Sequence, residues 1–397
     1  MTPSVHDRSL TYGRVATAMV LLWLAGTGLR MTILAVPPVI PLIRAELNLS
    51  ETEVGILSGL PAVLFALAAV PGSLLIARFG ALPILITGLV VTALGSALRG
   101  LAPDVIALYA ATILAAFGVA IMQPCLPALV RAWLPHRIGF ATALYTNGLL
   151  LGEIFPVALT IPVVLPLLGG SWRASFMVWA LPCVVVALVI LLFAPRPPKS
   201  AAGLAAPRRW WPDWKNGLLW RVGLMFGAVN SMYFATNAFV PDHLHQIGRA
   251  DLISSALTAI NASQIPSSLL LIGLAGKLVR RSWPYVASAA LCLIGILGIM
   301  FGDGPVIVAS AGLVGMAASF AFILILALPP LLSRPDDVHR MSAGMFTISY
   351  SCALVTPIVS GLVWDLTGVG AAAFIPIGLW AFVLIALAPT IRVAPRG

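Results

Sequence analysis

Charge is scarce in this chain, and acidic charge is scarcest. Of 397 residues only 9% are Asp, Glu, Lys or Arg, 13 acidic against 23 basic. An ordinary water-soluble domain carries about a quarter of its residues as charges, so that class is excluded. Cysteine is rare as well. Cys125, Cys183, Cys292 and Cys352 all fall inside apolar runs, with no CxxC spacing, which argues against a disulfide framework and against a metal site. The histidines His6, His136, His243, His245 and His339 read as tail or loop residues, and His243 and His245, beside Asp242, as exposed in an outer loop. Phosphate loops, nucleophile elbows and metal-ligand clusters are missing, so the sequence does not point to an enzyme and calls for no cofactor. Long polar segments are missing too. The longest internal one, 194–217, leaves little for a receptor or sensor to signal with.

What fills the chain is apolar sequence. Hydrophobic residues make up 60% of it, and the mean hydropathy is +1.04. A run of about 20 apolar residues spans a bilayer as a helix. The spacing predicts twelve such spans, near 15–40, 54–77, 81–101, 105–130, 138–165 and 173–194, then 218–240, 252–276, 284–302, 305–332, 342–363 and 370–391. The first is read as a retained span, because it is far longer than a signal-peptide core. The stretch 194–217 is rich in Pro, Arg and Trp and reads as a cytoplasmic linker. Three parts follow: an amino-terminal six-helix bundle over 1–193, the linker, and a carboxyl-terminal six-helix bundle over 218–397.

The net charge of +10 would suggest nucleic acid in a soluble protein. In this chain the basic residues sit in short loops between spans, so bilayer orientation explains them better and no nucleic-acid partner is expected. Arg14, Arg78, Arg131, Arg137, Lys215, Arg280, Arg281, Arg334 and Arg340 fall on one side. Arg44, Arg99, Arg173 and Arg249 fall on the other, with most of the acids. The positive-inside rule then puts both termini in the cytoplasm of a plasma (inner) membrane protein.

The halves repeat at an offset of about 200 residues. The LLW at 21–23 returns at 218–220, Pro41 matches Pro241, and His136-Arg137 matches His339-Arg340 before the fifth and eleventh spans. The fold expected is an all-α membrane protein with twelve transmembrane helices in two pseudo-symmetric six-helix bundles. Parallel repeats of this kind place a substrate site at their interface in many secondary transporters. On this offset Arg30 corresponds to Asn230 and Asn147 to Tyr350.

Polar side chains concentrate in a few spans. Trp23, Thr27 and Arg30 share a face of span one at helical spacing. Span five carries Asn147 and a row of Thr142, Thr146, Glu153 and Thr160. Span seven aligns Asn230, Tyr233 and Asn237, span eight Asn261 and Gln264, and spans four and eleven add Gln123 and Tyr350. Hydroxyls in such stripes often serve helix–helix hydrogen bonding alone, worth about 0.6 kcal/mol each. Several large amides together point instead to a water-filled cavity. Arg30 and Glu153 are read as the two charges well inside the spans. A mid-span arginine costs roughly 2.5–3.5 kcal/mol on insertion scales, so it needs a partner, water or a substrate. Either the two form a structural ion pair, or Arg30 anchors a substrate anion by its guanidinium fork and Glu153 is a proton site or a competing counter-ion. Prolines 37, 38, 41, 156, 162, 266 and 357 are expected to break spans one, five, eight and eleven.

Twelve spans in two halves around a basic linker resemble the major facilitator superfamily over nearly the whole chain. Its span-two motif, G-x-L-a-D-R-x-G, aligns with SLLIARFG at 73–80, where Arg78 and Gly80 fit and Ala77 replaces the acid. The resemblance makes Arg78 and Gly80 a cytoplasmic gating motif. The stretches 28–47, 116–135 and 172–182 are similar to the branch named for cyanate and 2-nitroimidazole permeases. That branch has an arginine in span one followed by a proline-rich exit, as in Arg30 and Pro37 to Pro41, and an I-x-Q-x-x-x-P stretch in span four, as in Ile121, Gln123 and Pro127. What this implies is a permease for a small anion or small polar organic molecule, working by alternating access and as a monomer. Candidate substrate ligands are Arg30, Trp23, Gln123, Asn147, Asn230, Tyr233, Asn237, Asn261, Gln264 and Tyr350, with Glu153 for proton symport. The alternative is an exporter of small aromatic or cationic compounds that uses Glu153 as counter-ion.

Overall fold

Each span begins and ends where the sequence supplies a cap or runs out of apolar residues. Asp104, Ser171 and Asn216 accept the N–H groups of Ala107, Ala174 and Leu218 at 2.8, 3.2 and 2.9 Å, opening spans four, six and seven. The computed structural model of the protein describes residues 5–49, 51–195 and 209–391. Most of the linker, 196–208, and residues 1–4 and 392–397 lie outside the described residues.

Among the described residues eleven helical stretches are long and apolar enough to cross a membrane. They are span one (Gly13–Leu47), two (Glu53–Phe79), three (Ala81–Leu101), four (Val105–Trp133), five (Ile138–Leu167), six (Trp172–Phe193), eight (Ala250–Leu278), nine (Trp283–Phe301), ten (Pro305–Leu332), eleven (Pro335–Thr367) and twelve (Gly370–Thr390). Span seven is the 30-residue helix Gly217–Gln246, more polar because it carries Asn230, Tyr233, Asn237, Asp242 and two histidines. The fold is all-α with twelve transmembrane helices. Leu181, Leu188, Leu192, Leu269, Leu270 and Phe382 are more than half exposed, as side chains facing lipid tails would be.

The chain divides into two compact units, Met1–Pro212 with Ser333–Ala343, and Asp213–Leu332 with Gly344–Gly397. In the first, span three packs on spans four and six, span two on span four, and span one on span five. In the second, span nine packs on spans ten and twelve, and span eight on span ten. Span seven meets span eleven there through Asn230–Ser349 and Ser231–Thr356 hydrogen bonds. The same order of neighbours recurs, as internal duplication requires.

The breaks match the proline expectations in spans one, five and eight and differ in span eleven. Pro156 and Pro357 sit inside continuous helices. Span eight is interrupted at Ser263, and Pro266 takes the third position of the next helix, where its missing N–H has no intrahelical partner to lose. Span five changes to a π-helical turn at Thr160–Val164, around Pro162. Span one breaks after Gly28 and again at Pro37–Val39, and resumes at Ile40–Leu47. Met31, Val36, Val39 and Ile43 from that broken end are buried with Leu57, Leu108, Trp172 and Phe176, so the irregular backbone is enclosed by protein.

Candidate functional site

Two glycines bring span five against span one. A Cβ on Gly148 would sit 2.2 Å from the carbonyl oxygen of Trp23, and one on Gly152 would sit 2.3 Å from that of Thr27. Only glycine allows backbones this close. Glu153 follows Gly152 directly, and Arg30 follows Thr27 by about one turn. Arg30 stands just past the end of the first helix and caps the short turn Met31–Leu34, with φ −127° and ψ −22°, and its carbonyl accepts the Ile33 and Leu34 N–H groups at 3.0 Å each. Its Nε lies 3.5 Å from Glu153 Oε1, with side-chain exposures of 8% and 21%. That separation exceeds a normal hydrogen bond. The guanidinium also lies over the Phe65 ring, 5.3 Å from its centroid. Two turns earlier Trp23 Nε1 donates to Asn147 Oδ1 at 3.1 Å. One seam of the first unit thus carries an indole, an amide, a cation and a carboxylate.

The second unit gathers the amides. Tyr233 donates its hydroxyl to Asn261 Oδ1 at 2.5 Å and accepts from Gln264 Nε2 at 2.9 Å. Asn261 Nδ2 donates to Asn237 Oδ1 at 3.1 Å, and Asn237 Nδ2 to the Tyr233 carbonyl at 2.9 Å. Four of the expected residues therefore form one network between spans seven and eight. Asn230 stands apart from it, buried and donating to Ser349 Oγ at 2.7 Å. Tyr350 is buried and stacked on Phe346, one turn back on its own helix. Gln123 is buried at the break between the two helical pieces of span four. Arg78 closes span two over the Phe79 ring, and Gly80 takes φ +90° at the turn into span three, a conformation that favours glycine.

Some residues stand elsewhere than the sequence suggested. Arg99 is no outer-loop charge: it is 0% exposed in span three, so Arg30 and Glu153 are joined by a third charge inside the spans. Its position in the last turn of the helix hid this, since a long basic side chain there normally snorkels to water. His243 is not exposed. It is buried in span seven, edge-on to Phe374, with Nε2 3.2 Å from the Ile299 carbonyl. His339 is buried as well. Spans six and twelve each place one indole N–H on a threonine, Trp179 on Thr160 at 2.9 Å and Trp380 on Thr356 at 2.8 Å. From the described part of the linker, the carbonyls of Trp210 and Trp211 accept from Ser73 Oγ at 2.7 Å and from Arg340 Nε at 2.9 Å.

Comparison with known proteins gives a consistent result. The sequence profile of the Major Facilitator Superfamily matches residues 19–248. The chain is 25% identical to an uncharacterized transporter of Bacillus subtilis, YycB, over 92% of this chain and 90% of that protein. It is 25% identical to the cyanate transport protein CynX of Escherichia coli, over 88% of this chain and 90% of that protein. The same identity holds to the 2-nitroimidazole transporter of Escherichia coli, over 79% and 86%. Among solved structures, a proton:xylose symporter superposes with a TM-score of 0.75 at 13% identity, covering 96% of both chains, which shows the shared fold.

Proposed function

From the premise that this chain belongs to the major facilitator superfamily, whose members move small solutes across membranes, we propose that it is a proton-coupled secondary transporter of a small anion held by Arg30. The observation that carries this reading is the Arg30–Glu153 pair at the break in span one. A guanidinium stays charged at any physiological pH and offers a planar fork to an anionic group. Glu153 occupies it when no anion is bound. An arriving anion displaces the carboxylate, which is left without its counter-charge in a poorly hydrated seam and takes up a proton. Anion and proton then cross together. Phe65 supplies a flat apolar wall beside the charge, which suits cyanate and equally suits a nitro-substituted ring. The amide network of spans seven and eight supplies neutral donors and acceptors within the second unit, and we assign its residues to substrate binding there. Both termini are assigned to the cytoplasm on the loop charges.

The test is equilibrium binding of cyanate, nitrate, formate and 2-nitroimidazole to purified protein at two pH values. We expect binding of at least one anion that tightens at the lower pH. Removing a charged hydrogen-bond donor costs about 1.5–3 kcal/mol, so Arg30→Ala should weaken it roughly 10- to 100-fold. Anion binding untouched by Arg30→Ala would overturn the reading. The second reading, an exporter of small aromatic or cationic compounds with Glu153 as counter-ion, is favoured by the 2-nitroimidazole relative. It gains if ring compounds alone bind and Glu153→Gln, not Arg30→Ala, abolishes their binding.

A further inference from the structure

Two arginines flank the break in span one, and the more deeply enclosed of them lies outside the proposed anion site. Arg30 is 7% exposed and Arg99 is 0% exposed. Arg99 makes one hydrogen bond, from Nη1 to the Thr32 carbonyl at 2.8 Å, and its guanidinium lies over Phe176, 5.6 Å from the ring centroid. Its Nε and Nη2 have no partner among the described residues. An arginine so poorly satisfied is a weak choice for stability alone, where a well-packed apolar side chain commonly does as well or better.

The carbonyl it holds explains its place. In a helix each carbonyl accepts from the N–H four residues on. Pro37 has no N–H to give to Ile33. The Val36 N–H, which that rule would send to Thr32, goes instead to the Ile33 carbonyl at 3.3 Å. Thr32 is left with a stranded carbonyl, and Arg99 takes it. The short turn Met31–Leu34 to which Thr32 belongs hangs from Arg30, whose carbonyl accepts the Ile33 and Leu34 N–H groups. Pinning Thr32 therefore fixes the backbone from which the Arg30 side chain leaves. Span three is itself anchored nearby, because Ser96 Oγ donates to the Phe176 carbonyl at 2.9 Å.

We propose that Arg99 is a positioning residue for the anion site: by holding the stranded Thr32 carbonyl it fixes the turn that presents Arg30 to Glu153 and to the substrate. Its functional consequence rests on the reading of Arg30 as the anion anchor, while its structural core rests only on the Arg30–Glu153 pair.

The test needs no known substrate. Unfolding temperatures of the full-length protein, Arg30→Ala, Glu153→Gln and the double variant give the coupling between the two charges. The same set is then measured in an Arg99→Met background. A positioning role predicts that the coupling seen in the wild-type background is lost. A purely structural role lowers all four temperatures together and leaves the coupling intact, which would overturn the proposal. Should Arg99→Met fail to fold, Arg99→Lys answers the same question. It keeps the charge but ends short of the Thr32 carbonyl, so a coupling at least halved supports the proposal and an unchanged one overturns it. Failure of the anion reading shows separately, as normal anion binding by Arg30→Ala.

Discussion

At the scale of the residue, charge inside an apolar span decides what can be inferred. Breaking a fully buried ion pair costs about 3–5 kcal/mol, because one charge is left without its partner. Glu153 keeps some exposure, so Glu153→Gln should cost less, about 1–3 kcal/mol, read as a lower unfolding temperature in detergent. Ligand binding raises stability by mass action. With Glu153 neutral, an anion is the counter-charge still available to Arg30 in this account, so cyanate should raise the unfolding temperature of Glu153→Gln more than that of the wild type. Equal shifts in both proteins would count against displacement. Arg30 and Glu153 were legible in the sequence because a charge amid apolar residues has no other reason to be there. Arg99 was not, because its burial depends on Phe176 and on the carbonyl of Thr32, far away in the chain. His243 was misread for the same reason: the Ile299 carbonyl and the Phe374 ring that enclose it come from other spans.

At the scale of the element, the site depends on how closely span five can approach span one. A methyl group on Gly152 would meet the Thr27 backbone, which cannot swing away as a side chain could. Gly152→Ala should therefore part the seam at a cost of about 1–3 kcal/mol and weaken anion binding although no polar group is removed. Thermal unfolding and binding on the same sample check this, and wild-type values for both would contradict it. The indole–threonine pairs Trp179–Thr160 and Trp380–Thr356 tie the last helix of each unit to the one before. Trp→Phe at either position should cost about 0.5–1.5 kcal/mol, the net worth of one hydrogen bond. Helical spacing made the polar stripes legible, and Arg30 and Asn230 do each face the fifth helix of their own unit. Asn147 and Tyr350, which correspond on the offset, differ in contacts: one accepts from Trp23 and the other stacks on Phe346. Pro357 misled because a proline need not break a membrane helix, and span eleven runs through it without interruption.

At the scale of the whole molecule, the all-helical fold with its long apolar spans agrees with membership of the major facilitator superfamily. The duplicated order of helix neighbours was visible in LLW, in Pro41 and Pro241, and in the two His-Arg turns. Chemistry was visible only where the repeat is broken, as where Arg30 in one half answers to Asn230 in the other. The measurement that tests the central claim most directly is proton uptake by the purified protein in weak buffer as cyanate, nitrate or formate is added. An anion that displaces Glu153 should bring about one proton with it, by the linkage between binding and protonation. In Glu153→Gln the same anion should still bind and bring none. Anion binding without proton uptake in the wild type, or proton uptake that persists in Glu153→Gln, would contradict the account.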